Sequence, residues 1–154
     1  MDRAVIELKL ESLRRCLARI RSKQPFSAQQ LAEDFDLQDV VSLNLTRAVQ
    51  LAVDIAAHQV ASLDVPAPNT MGESFDRLAQ AGRIPADLAS RLKAAVGFRN
   101  IAVHNYSQMN WATVHAIVHK HLGVVKWELK NVSQVEFGVV AQTGAGICPR
   151  LLAF

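Results

Sequence analysis

The side chains of this chain that could do chemistry together lie in one short segment, Gly97-Phe98-Arg99-Asn100-Ile101-Ala102-Val103-His104-Asn105-Tyr106. Arginine is a permanent cation, and its planar fork of donors suits phosphate oxygens. Histidine takes and gives protons most readily near neutral pH. A proton shuttle and a cation form the minimal set for cleaving a phosphodiester without a metal ion. In that chemistry His104 would move protons and Arg99 would stabilise the developing negative charge.

The spacing limits how these side chains can meet. Residues 88–96 carry an apolar stripe that predicts a helix leading into the segment. If the helix continued through Tyr106, Arg99 and His104 would stand roughly 140° apart around it and 7.5 Å along it. The two heads would then converge on one phosphate rather than contact each other. Asn100 would share a face with His104, where it could orient the ring or contact a ligand, and Tyr106 would line up with Arg99.

The composition is that of a single soluble domain. Half of the 154 residues are hydrophobic, but no apolar run approaches the ~20 residues that span a membrane. The N-terminal region mixes acidic residues into its apolar stripe, unlike a signal peptide. We therefore expect a cytoplasmic protein without a membrane partner. The formal charge of +3 permits an RNA partner without requiring one.

Basic residues crowd the second half of the first predicted helix: Arg14, Arg15, Arg19, Arg21 and Lys23. They could bind a nucleic-acid backbone. Cations also favour the C-terminal end of a helix through its dipole. Because no aromatic residues interleave with these charges, a solvated helix face is the favoured interpretation.

The pattern predicts an all-α bundle of about five helices, with residues 1–123 as the bundle and residues 124–154 as an irregular or weakly β C-terminal tail. Ser27 is a predicted N-cap and Gly82 a predicted C-cap. The predicted helices cover residues 3–23, 28–35, 37–63 and 73–81, then a helix that begins near Pro85 and carries Arg99, and finally 111–122.

Three other groups invite a chemical interpretation, and for each a structural role is favoured. The histidines His115, His119 and His121 lack the acidic companion of a helical zinc motif. The carboxylates Asp34, Asp36, Asp39 and Asp54 suit capping and surface positions, with Asp36 or Asp39 at the start of the long helix and Asp54 as a structural partner. Cys16 and Cys148 give neither a disulfide framework nor a zinc site. We therefore expect no metal and no cofactor.

Four blocks in order carry a family resemblance. They are residues 47–56, residues 73–79, residues 82–89 and, above all, the motif formed by Arg99, His104 and Tyr106. With these blocks the segment 36–122 resembles the HepT-like proteins of the HEPN superfamily, which are small helical bundles. The motif alone would favour a structural role for these residues. The match over more than half of the chain favours a functional role instead.

The resemblance implies a specific activity. HepT-like proteins are toxins of type VII-like toxin–antitoxin pairs and act as metal-independent ribonucleases. They work as homodimers, and a minimal nucleotidyltransferase (MNT) antitoxin silences them by transferring AMP to the motif tyrosine. Carried over, Arg99 and His104 would be catalytic, Asn100 a supporting group and Tyr106 the AMPylated residue.

Two points stay open. The same residues could serve a non-catalytic HEPN module that binds nucleotide or pairs with a nucleotidyltransferase. The family tends to end in a polar amphipathic helix, whereas residues 124–154 are rich in glycine and valine.

Overall fold

A computed structural model of the chain describes residues 3–120. The first helix, α1, spans Arg3–Arg21, close to its predicted bounds. Its apolar residues recur every three to four positions and are buried: Ile6, Leu10, Leu13, Cys16, Leu17 and Ile20. This spacing places them on one face of the helix, as an amphipathic helix requires.

Two capping side chains determine where the next two helices begin. Ser27 caps α2 (Ala28–Glu33) as predicted: its Oγ accepts from the backbone N–H of Gln30 at 3.0 Å, and the Gln30 side chain accepts from the Ser27 N–H at 2.8 Å. The helix ends before Phe35 because Asp34 caps α3, accepting from the Leu37 N–H at 2.9 Å. This capping box and Asx cap satisfy N–H groups that the helices leave free.

The long helix α3 spans Phe35–Ala61 and begins two residues before its predicted start. Asp36 lies in its first turn, as expected, but the N-cap is Asp34, whose carboxylate accepts from the Leu37 N–H. By length and a mean hydropathy of 1.3 over 18 residues α3 is apolar enough to cross a membrane, but half of that window is buried in the fold. Helices α1, α2, α4 and α5 all contact α3, which makes it the core helix of the bundle.

A polar pair fixes α1 against α3. Lys9 Nζ lies 2.7 Å from Asp54 Oδ2, and Gln50 Nε2 donates to Asp54 Oδ1 at 2.9 Å. Both side chains of the ion pair are largely covered. Asp54 is thus the structural partner that the sequence predicted. Near the other end of α3, Gln38 Nε2 donates to the carbonyls of Leu31 and Ala32, so the buried amide donor of α3 is paired with α2.

The next two helices form a hairpin, and the second of them carries most of the segment 97–106. Helix α4 spans Glu73–Gln80 and α5 spans Ala86–His104. Gly82 between them has φ +70°, a conformation that glycine adopts readily. Lys93 Nζ lies 2.9 Å from Asp76 Oδ2 and joins the two helices. A 3₁₀ turn, Tyr106–Gln108, leads to helix α6, which is helical from 111 to 120.

The prediction of an all-α bundle is confirmed, and no strand occurs within residues 3–120. Those residues belong to one compact unit, Met1–Leu122. The predicted tail at 124–154, Cys148 and the end of the last helix lie outside the described residues, so the division at residue 123 stays a prediction. Cys16 is buried, and burial raises the pKa of its thiol, opposed in part by the nearby Arg47 guanidinium.

The cap of α3 gives a stability prediction. D34A removes the hydrogen bond to the Leu37 N–H and should lower the free energy of unfolding by about 1 kcal/mol. D36A, two residues later, removes a charge that forms no cap and should cost less than about 0.5 kcal/mol in moderate salt. Urea unfolding of both variants checks this. Equal losses would show that charge near the helix end, rather than the cap, stabilises α3.

Candidate active site

Helix α5 positions both Arg99 and His104, because its last residue is His104. The face of α5 that includes Leu88, Leu92 and Val96 is buried. Five positions of regular helix separate these two side chains by roughly 140° and 7.5 Å along the axis. This is the geometry that the sequence predicted. A ligand bound by both the guanidinium and the imidazole would have to lie between them.

Arg99 is half-buried and incompletely paired. Its Nη1 donates to Asn100 Oδ1 at 3.3 Å, while its Nε is buried without a hydrogen-bond partner. An unpaired buried donor costs about 1–3 kcal/mol. A guanidinium that binds an anionic ligand would carry this cost in the unbound protein. Asn100 therefore contacts Arg99, and its amide does not hydrogen-bond His104.

His104 lies at the end of the helix and is exposed. Among the described residues its imidazole has no hydrogen-bond partner, so neither ring nitrogen is committed to the fold. Two apolar side chains on the same stretch of α5 are also exposed, Ile101 by 47% and Val103 by 49%. The motif thus lies on an accessible, partly apolar surface.

Tyr106 does not line up with Arg99, and that expectation is wrong. The Asn105 N–H closes α5 on the Ile101 carbonyl at 2.8 Å, and the chain then leaves the helical path. Tyr106 begins the 3₁₀ turn, 42% exposed, with its ring edge-to-face against Trp111 at 5.7 Å between centroids. Sequence reasoning missed this Trp111 contact. Two aromatic residues flanking a polar turn were the available indication.

The described histidines of α6 form contacts within the fold. His115 Nε2 lies 2.9 Å from the Phe26 carbonyl, and His119 Nδ1 lies 3.0 Å from the His115 carbonyl. A carbonyl only accepts, so each of these nitrogens carries the hydrogen. The two rings stack at 4.0 Å, and Phe26 packs edge-on against both. No group of metal-binding side chains forms in the part of the chain from 3 to 120, and His121 lies outside it.

Comparisons with known proteins identify relatives of this chain. The family model described as Ribonuclease HepT-like matches residues 13–132. The mRNA nuclease HepT of Shewanella oneidensis is 38% identical over 118 residues, which cover 77% of this chain and 88% of that protein. The tRNA nuclease HepT of Aphanizomenon flos-aquae is 26% identical over 110 residues, which cover 71% and 75%.

A solved structure matches over almost its full length. It is the tri-AMPylated HEPN toxin of Shewanella oneidensis in complex with MNT antitoxin. The TM-score is 0.78 at 34% identity, and the match covers 87% of this chain and 99% of that chain.

The contacts of the α6 histidines can be tested by stability. H115A leaves the Phe26 carbonyl without its donor and should lower the free energy of unfolding by about 1–2 kcal/mol. H119A, at an exposed position on the same helix, should cost less than about 0.5 kcal/mol. Denaturant unfolding with and without added Zn²⁺ is the measurement. A zinc-dependent gain in stability that H119A abolishes would contradict the structural role.

Proposed function

The chain belongs to the ribonuclease HepT-like family, and we propose that it is the toxin of a toxin–antitoxin pair. It would be an endoribonuclease that cuts RNA in the cytoplasm without a metal ion. The observation that carries this proposal is the end of α5, where a half-buried guanidinium with an unpaired donor, Arg99, and an exposed imidazole, His104, flank one accessible surface. The nuclease names of the two curated relatives support it.

The proposed reaction uses the RNA's own 2′-hydroxyl. His104 takes the proton from the 2′-OH, and the resulting oxygen attacks the adjacent phosphorus. The bond from phosphorus to the 5′-oxygen breaks, and that oxygen takes a proton, which leaves a 2′,3′-cyclic phosphate and a 5′-hydroxyl. Arg99 stabilises the pentacoordinate transition state by charge-assisted hydrogen bonds. DNA lacks the 2′-hydroxyl and would not be cut.

The supporting residue has a narrower role than the sequence suggested. Asn100 accepts a hydrogen bond from Arg99, and in the proposed reaction it holds the guanidinium in position. It would not orient His104, whose ring it does not hydrogen-bond.

We also propose that the active form is a homodimer in which the two motifs lie close together. Ile101 and Val103 are exposed on α5 beside the motif, and burial between two copies would remove this apolar surface from water. A Cβ at Gly97 would meet nothing within 4 Å, so this helical glycine is not required by packing inside the chain. It would let a second backbone approach closely.

An MNT-type antitoxin is the proposed partner and Tyr106 the proposed switch. The matched Shewanella toxin is AMPylated and bound to such an antitoxin. Here the ring of Tyr106 is exposed just beyond the end of α5. Its oxygen would attack the α-phosphorus of ATP and release pyrophosphate. The added phosphate would compete with RNA for Arg99 by its charge, and the adenosine would block access by its bulk.

A second candidate function is a non-catalytic module that binds nucleotide or pairs with a nucleotidyltransferase. One observation favours it: no group within residues 3–120 orients the His104 ring. A phosphate-binding site would need only the cation and the amide.

Substitutions at the motif separate these functions. H104A should lower RNA cleavage by at least about 100-fold, the usual contribution of a proton shuttle. R99K keeps the charge but loses the planar fork, so it should also be strongly impaired. Cleavage of a labelled single-stranded RNA, with end-group analysis of the products, is the measurement. H119A is the matched control, and its activity should stay near that of the wild type.

The metal requirement is tested in the same assay. EDTA should leave cleavage unchanged. Inhibition by EDTA, or full cleavage by H104A, would contradict the mechanism, and an inactive wild-type protein that still binds nucleotide would favour the second function.

The switch is tested by Y106F. This variant keeps the ring and its contact with Trp111 but lacks the oxygen that accepts AMP. It should cut RNA like the wild type and stay active when incubated with antitoxin and ATP, whereas the wild type should lose activity and gain the mass of AMP. Silencing of Y106F by antitoxin and ATP would place the modification elsewhere.

A further inference from the structure

A second cationic feature of the fold is the groove between α1 and the first half of α3, here called the α1–α3 groove. Its volume is about 860 Å³. Arg15 and Arg19 of α1 and Arg47 of α3 line it, with Asp39 as the one carboxylate among its lining residues. Its apolar lining is formed by Cys16, Val40, Leu43 and Leu51. None of its lining residues belongs to the segment 97–106.

The arginines of this groove are mostly unpaired. Within residues 3–120 the guanidinium groups of Arg19 and Arg47 have no ion-pair or hydrogen-bond partner. Arg15 lies 3.3 Å from Glu11, with 78% of its side chain exposed, a pair that contributes little in water. The sequence favoured a solvated helix face for the basic run of α1. The structure adds Arg47, which comes from another helix and turns that face into a groove with cations on both walls.

We propose that the α1–α3 groove binds the sugar–phosphate backbone of single-stranded RNA outside the catalytic segment. The proposal rests on the proposed function, since it assumes that RNA is the substrate. The planar donors of arginine match phosphate oxygens, and guanidinium planes also stack on unpaired bases. Arg15 and Arg19 are one helical turn apart, about 6 Å along the axis, so they can contact different phosphates of one strand.

Other occupants fit less well. A second copy of this chain would bring arginines against arginines, and such like-charge contacts are costly. The exposed Leu43 and its apolar neighbours would suit a protein, but a single carboxylate among three arginines selects for an anionic ligand. No aromatic side chain lines the groove. We therefore expect binding without base preference, and single-stranded DNA should compete for the groove although it is not cut.

The test measures RNA binding in the H104A background, where the substrate stays intact. The probe is a fluorescein-labelled single-stranded RNA of about 16 nucleotides, and anisotropy gives Kd over a range of salt concentrations. R19E/R47E should raise Kd by at least about 10-fold and lower the slope of log K against log salt by about 1–2. R19K/R47K, which keeps both charges, should retain most of the salt-dependent binding.

The matched control is R91E/K120E, which changes the net charge equally on α5 and α6 and lines no part of the groove. Its Kd should stay within about threefold of the parent protein. Circular dichroism and urea unfolding of each variant confirm that the helices are intact. With His104 present, R19E/R47E should raise KM for the same RNA.

Each result supports or overturns the proposal. An unchanged Kd in R19E/R47E overturns it, as does an equal loss in the control, which would indicate net charge alone. Loss of antitoxin binding with unchanged RNA binding would make the groove a protein-docking site and also overturns it. RNA binding that depends on Arg19 and Arg47 without any cleavage would overturn the proposed nuclease function and leave the groove standing.

Discussion

The structure depends on the burial of α3. This helix carries apolar residues on several sides, so it is stable in water only when other helices cover it. Helix α1 covers one side, fixed by the Lys9–Asp54 pair, while α4 and α5 cover another. Because α5 uses one face for this packing, its opposite face is left free. That free face carries His104 and the exposed Ile101, and the apolar Val103 near the end of the helix is exposed as well.

The end of α5 decides what the site can do. A helix that ended one turn earlier would separate Arg99 from His104, and one that continued through Tyr106 would fix the tyrosine on the same rigid rod. Instead the helix ends at His104 and a 3₁₀ turn follows. The two proposed catalytic groups are therefore held by one regular element. The proposed modification residue lies on a separate turn and rests on Trp111.

Much of this fold could be predicted from sequence because local chemistry decides it. The capping box at Ser27, the glycine turn at Gly82 and the apolar stripes each follow from neighbouring residues. The proposed catalytic pair was identified from residue types, and the family resemblance from the blocks around it. The start of α3 was missed because three aspartates compete for the cap within six positions, and only the backbone path selects Asp34.

Contacts between distant segments could not be predicted in the same way. Periodicity predicts which face of α1 is buried but not which helix lies beside it. The position of Arg47 across the groove from Arg15 and Arg19 is therefore known only from the structure. The Trp111 contact of Tyr106 depends on the point where α5 ends, which the sequence leaves uncertain by a few residues. Neighbours in sequence decide which side chain caps a helix. The tertiary fold decides which side chain lies across a groove.

Three buried side-chain atoms within residues 3–120 have no hydrogen-bond partner: Gln50 Oε1, Arg77 Nε and Arg99 Nε. The buried Gln38 and the half-buried His115 both have partners. Arg99, by contrast, keeps a buried donor unpaired, and Arg19 and Arg47 face a groove without carboxylate partners. Folding alone would favour a partner for the buried Arg99 donor, whereas Arg19 and Arg47 are exposed and solvated by water. In the proposed function, a phosphate backbone would supply at Arg99 and along the groove the negative charge that the fold does not.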